Sequence, residues 1–246
     1  MLLAPLLAAM FLAQSPLRRL APQTALLTYH DMIATRGPKA LWFDCTTQEF
    51  IGQLDWFAKL HVHFITLDQL YVHLTTGAKL PSRPLAITFA DNYQGFWDRA
   101  YPVLKARRIP CAMFVHTGYV GDRAHGRPKM SWEELRTLDR EGLVTVASQT
   151  VSHPADLRLL SDAELRHEMV DSKATLERKL GHPVQYIAYP NGKFDTRCEA
   201  AAHGAGYIKA FCEETHPAED SSSLFAVDRY VHTKFRRAMS DIHATR

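Results

Sequence analysis

The feature that most limits how this chain can fold is a regular exchange of short apolar runs with capped helical stretches. Ala25-Leu26-Leu27-Thr28-Tyr29 reads as a buried strand ending in the polar pair His30 and Asp31. Thr46-Thr47-Gln48-Glu49 has capping-box spacing, and Phe50, Leu54, Phe57 and Leu60 then recur at the helical period. A short strand is predicted at Phe64-Ile65-Thr66, followed by a helix from Thr66 that Gly77 ends. Leu85-Ala86-Ile87-Thr88-Phe89, set off by Pro84, predicts the next strand, with a helix over about 95–107 behind it. The strand Cys111-Ala112-Met113-Phe114-Val115 follows, and Ser131-Trp132-Glu133-Glu134 caps a helix reaching Glu141-Gly142. Val144-Thr145-Val146-Ala147 is predicted as a strand. Ser161-Asp162-Ala163-Glu164 caps a long helix closed by Gly181. The pattern continues with a strand at 185–188, a helix over about 196–205, a strand at 208–211, a polar loop and a last strand at 226–231. Strands alternating with helices over short links argue for an α/β chain with a largely parallel sheet, open or closed into a barrel.

Length supports one domain. The 246 residues, 46% hydrophobic and 22% charged, suffice for a single large core, and one α/β barrel commonly reaches this size. A formal charge of +3 with dispersed basic residues gives no footprint for nucleic acid. The four cysteines lack CxxC spacing, which argues against a zinc ribbon and leaves the redox compartment open. Residues 1–20 stand apart from the domain expected over 21–246. Leu2 to Ala13 is apolar, too short for the roughly 20 residues that span a bilayer, and not preceded by Lys or Arg. An atypical export signal, a start inside a longer precursor and a helix packed on the domain all fit. Export or a cell-envelope location is the expectation favoured over the cytoplasm.

In parallel α/β architectures, residues at the C-terminal ends of strands line the site mouth. Asp91, just after Phe89, is therefore a candidate metal-binding or catalytic carboxylate, and equally a candidate helix cap. Gln149 and His153 follow another strand, and Tyr189, Pro190, Asn191 and Gly192 a third.

The order of these segments resembles the polysaccharide deacetylase (NodB-homology, carbohydrate esterase) family. Thr88-Phe89-Ala90-Asp91, Ser148-Gln149-Thr150-Val151-Ser152-His153-Pro154 and Ala188-Tyr189-Pro190-Asn191-Gly192 look like its successive motifs, within a similarity running from Thr28-Tyr29-His30-Asp31 to Arg229. The flavour is closest to members that deacetylate poly-N-acetylglucosamine. The resemblance implies a distorted, incomplete (β/α) barrel and hydrolysis of N-acetyl groups on a glycan. It also implies one divalent metal, zinc or else cobalt or nickel, held by one Asp and two His, with open positions for water and the acetyl oxygen.

Carried over residue by residue, Asp91 matches the metal Asp and His153 the second metal His. Ala90 stands where the family has its general base, and Gln149 where it has the first metal His. Alanine cannot accept a proton, and a general base is typically worth about 10²–10⁴-fold. A neutral amide is a weak substitute for imidazole at a zinc-like ion. The resemblance further places Tyr189, Pro190, Asn191 and Gly192 in the groove wall, and Arg229 as a brace of the catalytic region. His232 is the nearest counterpart of the family's acid histidine, against its reading as an ordinary surface histidine. His30 and Asp31 are candidates for the mouth, able to supply a replacement base or ligand. Asn92 and Tyr93 are candidates for the groove, and Trp132 for a groove or packing aromatic. Three readings follow. The first is a deacetylase fold that binds a glycan with N-acetylglucosamine units but hydrolyses it weakly or not at all. The second is an active C–N hydrolase with a rearranged or metal-independent centre. The third is an active deacetylase whose base was replaced to trap substrate, which leaves Gln149 unexplained.

Overall fold

The computed structural model describes residues 23–243. The apolar stretch Leu2–Ala13 and the choice between signal and packed helix lie outside the described residues.

The chain runs through β1 (Ala25–Tyr29), β2 (Met32–Ile33), β3 (Cys45–Thr46), α1 (Thr47–Lys59), β4 (His63–Phe64), α2 (Leu67–Thr76) and β5 (Pro84–Phe89). It continues with α3 (Tyr101–Arg107), β6 (Cys111–Val115), α4 (Trp132–Arg140), β7 (Val144–Ser148) and α5 (Asp162–Leu180). The last elements are β8 (Tyr186–Ala188), α6 (Thr196–Gly204), β9 (Lys209–Phe211), β10 (Tyr230–Val231) and α7 (Phe235–His243). The main sheet is parallel, in the order β10-β1-β5-β6-β7-β8-β9, with β4 paired to the start of β5. Val227 adds a parallel bridge to Phe211, so the segment leading into β10 runs from one sheet edge to the other. The sheet curls into a distorted, incomplete (β/α) barrel.

Strand parity explains the two cores. Even positions such as Leu26, Ala86, Ala112, Phe114, Tyr186 and Ala188 point into the barrel, where they meet Leu67, Leu70 and Leu74 of α2. Odd positions, among them Leu27, Ile87, Met113 and Ile187, face outward beneath the helical ring, and in β7 the register shifts this role to the even Val146. With both faces covered, the strands read as nearly unbroken apolar runs. Four helices carry complete capping boxes, at Thr46/Glu49, Thr66/Gln69, Ser131/Glu134 and Ser161/Glu164. Three of these spacings are visible in the sequence as Ser or Thr followed three residues later by Glu.

Two expectations are corrected and one pairing is added. The helix placed over 95–107 starts as a π-helical turn, Phe96–Ala100, in which the Tyr101 N–H reaches the Phe96 carbonyl. Pro102, at the start of α3, has no N–H to give and so cannot complete a regular α ladder there. The last strand is only Tyr230–Val231, because the Asp228 N–H is taken by Ser221 Oγ and leaves the ladder. Met32–Ile33 and Cys45–Thr46 form a two-stranded parallel ribbon, a pairing too short to leave a periodic signal.

Candidate active site

The C-terminal ends of β5, β6 and β7 converge on the main chain of Asp91. Asp91 sits at φ 67° and Asn92 at φ 38°, a left-handed backbone that a non-glycine residue holds only when its surroundings fix it. The fixing is explicit. The Asp91 N–H donates to Gln149 Oε1 at 2.8 Å. The Asp91 carbonyl accepts from Lys129 Nζ at 2.8 Å and lies 3.0 Å from His116 Nε2, which therefore carries the ring proton. Asn92, fully buried, accepts the His116 N–H on Oδ1. Turn and ends of strands are thus tied together by side chains.

The Asp91 carboxylate faces His153, whose Nε2 is 3.4 Å from Oδ1. The loop carrying His153 is shaped by Glu168 of α5, which accepts the Val151 and Ser152 N–H groups at 2.7 and 3.0 Å. Thr150 and His153 are themselves at positive φ. Burial by itself would raise the Asp91 carboxyl. The His153 ring nitrogen 3.4 Å from Oδ1 and the nearby imidazoles of His30 and His116 outweigh it, which holds the carboxyl well below the usual range. Burial pulls His30 below its ordinary value, and burial with the nearby Lys129 charge takes His116 down to about 3. Burial also brings Lys129 down to about 8, against the pull of Asp91 and Asp31.

Beneath this layer Arg229 is completely buried. Its Nε donates to the Cys212 carbonyl at 3.1 Å, its Nη1 to Thr28 Oγ1 and its Nη2 to Glu213 Oε1, both at 3.3 Å. Asp31, beside the mouth, is paired with Arg127 at 2.8 Å, and burial raises its carboxyl. Tyr93 lies under Lys129, whose Nζ is 3.4 Å from the ring centroid.

The structure thus brings together Asp91, Gln149, His153, His30, Asn92, Tyr93 and Arg229. Ala90 continues the inward parity of β5 and is fully buried. Asn191 is exposed at φ 54° and donates to the Ala155 carbonyl, and Gly192, at φ 67°, packs on Glu213. Other residues point elsewhere. Tyr189 is fully buried, stacked on Phe194 at 5.0 Å, with its hydroxyl on the Phe225 carbonyl, and Pro190 is buried beside it. Trp132 packs on the outer core, with Lys179 Nζ 5.5 Å from its ring. His232 is not a surface residue: it is 2% exposed and stacked on Tyr29 at 5.1 Å. The aromatic pair needs a flat partner in the core, which the sequence around His232 does not announce. His116, Lys129 and Glu213 were not singled out by sequence. His116 directly follows β6, so the strand-end rule could have found it; Lys129 comes from a long loop and carries no local signal.

A family model described as polysaccharide deacetylase matches residues 77–210, more than half of the chain. The chain belongs to the polysaccharide deacetylase family. The poly-beta-1,6-N-acetyl-D-glucosamine N-deacetylase of Staphylococcus aureus is 27% identical over 199 residues, 76% of this chain and 67% of that protein. Among solved structures, the deacetylase PplD of Streptococcus pyogenes, in complex with acetate, superposes with a TM-score of 0.79 at 21% identity, covering 89% of this chain and 98% of that one. IcaB from Ammonifex degensii gives a TM-score of 0.79 at 23% identity, covering 91% and 98%. These two show that the chain shares their fold.

The donor set can be tested against the divalent metal of such a site. Asp91 Oδ1 is buried without a hydrogen-bond partner and His153 stands opposite it. Gln149, in the place of the family's first metal His, has its oxygen turned onto the Asp91 N–H, and another nitrogen beside Asp91 without a hydrogen-bond partner is His30 Nδ1. Among the described residues, no group of three His, Cys, Asp or Glu side chains is arranged to hold a metal ion. Asp91 and His153 with this amide do not reproduce the one-Asp, two-His set that the resemblance implies.

Proposed function

We propose that this polysaccharide deacetylase-fold protein binds a glycan containing N-acetylglucosamine units and is impaired in hydrolysing it. The observation that carries the reading is the Gln149–Asp91 bond at 2.8 Å, beside Ala90. In the place that the resemblance assigns to a metal-binding imidazole, an amide does structural work, and in the place of the base there is a methyl group. What remains is a preorganised polar mouth: an ionised carboxylate, neutral imidazoles at His30 and His116, and Lys129. Such convergent donors and acceptors suit the hydroxyl and amide groups of an N-acetylated sugar. The similarity to a deacetylase of poly-β-1,6-N-acetylglucosamine supports that ligand class. The same reading places the protein outside the cytoplasm or at the cell envelope. No helix among the described residues is long and apolar enough to cross a membrane.

The test pairs elemental analysis with acetate release. The purified chain is expected to hold much less than one zinc, cobalt or nickel per molecule and to release no acetate from N-acetylglucosamine oligomers, while still binding them. The double variant Ala90→Asp, Gln149→His is expected to recover metal binding. Stoichiometric metal together with acetate release by the unaltered chain would overturn the proposal. Acetate release that persists in chelator would instead favour a rearranged hydrolase, with His30, whose Nδ1 is buried and unpartnered, as the replacement base.

A further inference from the structure

Residues 34–44, between β2 and β3, present Leu41 and Trp42 to solvent at 44% and 66% exposure. The backbone on either side of the indole is fixed by hydrogen bonds. Arg127 Nη1 pairs with Asp31 at 2.8 Å, and its Nη2 holds Asp44 at 2.9 Å and the Lys39 carbonyl at 3.3 Å. Asp44, fully buried, also accepts the Leu41 N–H at 2.6 Å and returns its own N–H to the Leu41 carbonyl. Arg36 Nη2 donates to the Asp44 carbonyl from the other side. The indole is therefore carried on a cross-braced turn.

The rings beneath it lead to the mouth. Trp42 stands edge-on to Phe43 at 5.6 Å, and Phe43 lies 5.1 Å from His30 and 6.5 Å, nearly parallel, from Tyr93. His30 faces Asp91, and Tyr93 carries Lys129 on its ring. An aromatic path thus runs from the carboxylate to the exposed indole.

We propose that Trp42 is a stacking platform for a sugar residue of the glycan beyond the unit held at Asp91, and that it sets a preference for oligomers over single sugars. This rests on the glycan reading of the site. A pyranose presents apolar C–H groups on one face and hydroxyls at its edge, which suits a rigid, exposed indole continuous with a polar mouth. Preorganisation of the turn adds to this, because its backbone is already ordered when ligand arrives.

Calorimetric titration of the full chain with N-acetylglucosamine and with its pentasaccharide tests the proposal. Trp42→Ala is expected to weaken the pentasaccharide about tenfold and leave the single sugar unchanged, while Trp42→Phe keeps most of the oligomer affinity. An unchanged melting temperature confirms that the exposed site can be truncated without unfolding. Equal pentasaccharide affinity for Trp42→Ala and the unaltered chain overturns the proposal. So does a variant that keeps the sugar but loses sedimentation with phosphatidylglycerol vesicles, which would make the loop a membrane contact. If the unaltered chain binds neither sugar, the glycan reading of the mouth falls first and Trp42 falls with it.

Discussion

The barrel interior holds polar groups at both ends, and the two ends handle them differently. At the mouth, the Asp91 N–H and carbonyl are occupied by Gln149, His116 and Lys129, so the main chain of the turn is held by hydrogen bonds, while the side-chain atoms Asp91 Oδ1 and His30 Nδ1 carry none. At the floor, where α2 closes the barrel, charge faces charge with little hydrogen bonding. Lys209 is completely buried, its Nζ has no hydrogen-bond partner, and the Tyr71 ring lies 5.4 Å away. Glu219 accepts the Thr24 N–H on one oxygen, while the other is 3.4 Å from His73 Nε2 without hydrogen-bond geometry. His73 Nδ1 is 2.6 Å from the Ala78 carbonyl, and the Tyr186 hydroxyl donates to Asp68. A mouth built this way specifies one backbone conformation. A floor built this way only balances charge, and its members remain costly to bury.

The largest effect is expected where the mouth rests on a buried cation. Arg229→Met removes three hydrogen bonds and leaves the half-buried Glu213 without its cation. Breaking a buried ion pair on one side typically costs about 3–5 kcal/mol, which urea unfolding would read as a lower midpoint at unchanged slope. A loss under about 1 kcal/mol would mean that the site layer is not supported from below.

The floor should respond with the opposite sign. Burial lowers Lys209 from 10.5 to about 7, while Asp68 and Glu219 pull it upward. Between those two values the unfolded chain holds a proton that the folded chain does not, so stability rises as pH increases from about 7 towards 10.5. Below about 7 both states are protonated and the buried charge is a constant penalty. Lys209→Met should therefore stabilise the protein near pH 6, on the order of a few kcal/mol, with the advantage fading by pH 10. Denaturation across that range in both proteins measures it. A variant less stable than the parent at pH 6 would show that the charges of Asp68 and Glu219 need Lys209 more than burial disfavours it.

The contrast also marks what the sequence could show. Strand parity, capping boxes and strand-end residues were legible because each is a local pattern: Leu85–Phe89 announces β5, and Asp91 and His153 sit where mouth residues must. The floor was not legible, since Lys209 reads as an ordinary surface lysine inside Ile208–Phe211, and only its register opposite Tyr186 turns it inward. Lys129 and the burial of His232 were hidden for the same reason, being set by partners far away in the chain. Gln149 was visible as a departure, but not that its amide is bonded to the Asp91 main chain.

Within the mouth, the two sides of the Asp91 peptide groups are not equivalent. Gln149 is the hydrogen-bond partner of the Asp91 N–H, so Gln149→Ala strands a buried donor and should cost about 1–3 kcal/mol. Protection of the Asp91 amide against hydrogen exchange should fall in step; a variant of parental stability with protection retained would mean that another acceptor takes over.

The Asp91 carbonyl, by comparison, has two donors. Lys129→Met removes one and leaves His116 in place, and the apolar side chain relieves the burial of an ammonium group whose pKa is already drawn down to about 8. The loss of a redundant bond and the relief of desolvation oppose each other, so the net change should stay within about 1 kcal/mol. Chemical denaturation of the single variants and of the Lys129→Met, His116→Phe pair decides the point. Near-neutral Lys129→Met together with a pair that loses more than the sum of its singles is the signature of shared support for one carbonyl. Strict additivity would mean that each donor acts on its own and that the left-handed turn at Asp91 is held by Gln149 and Asn92 instead.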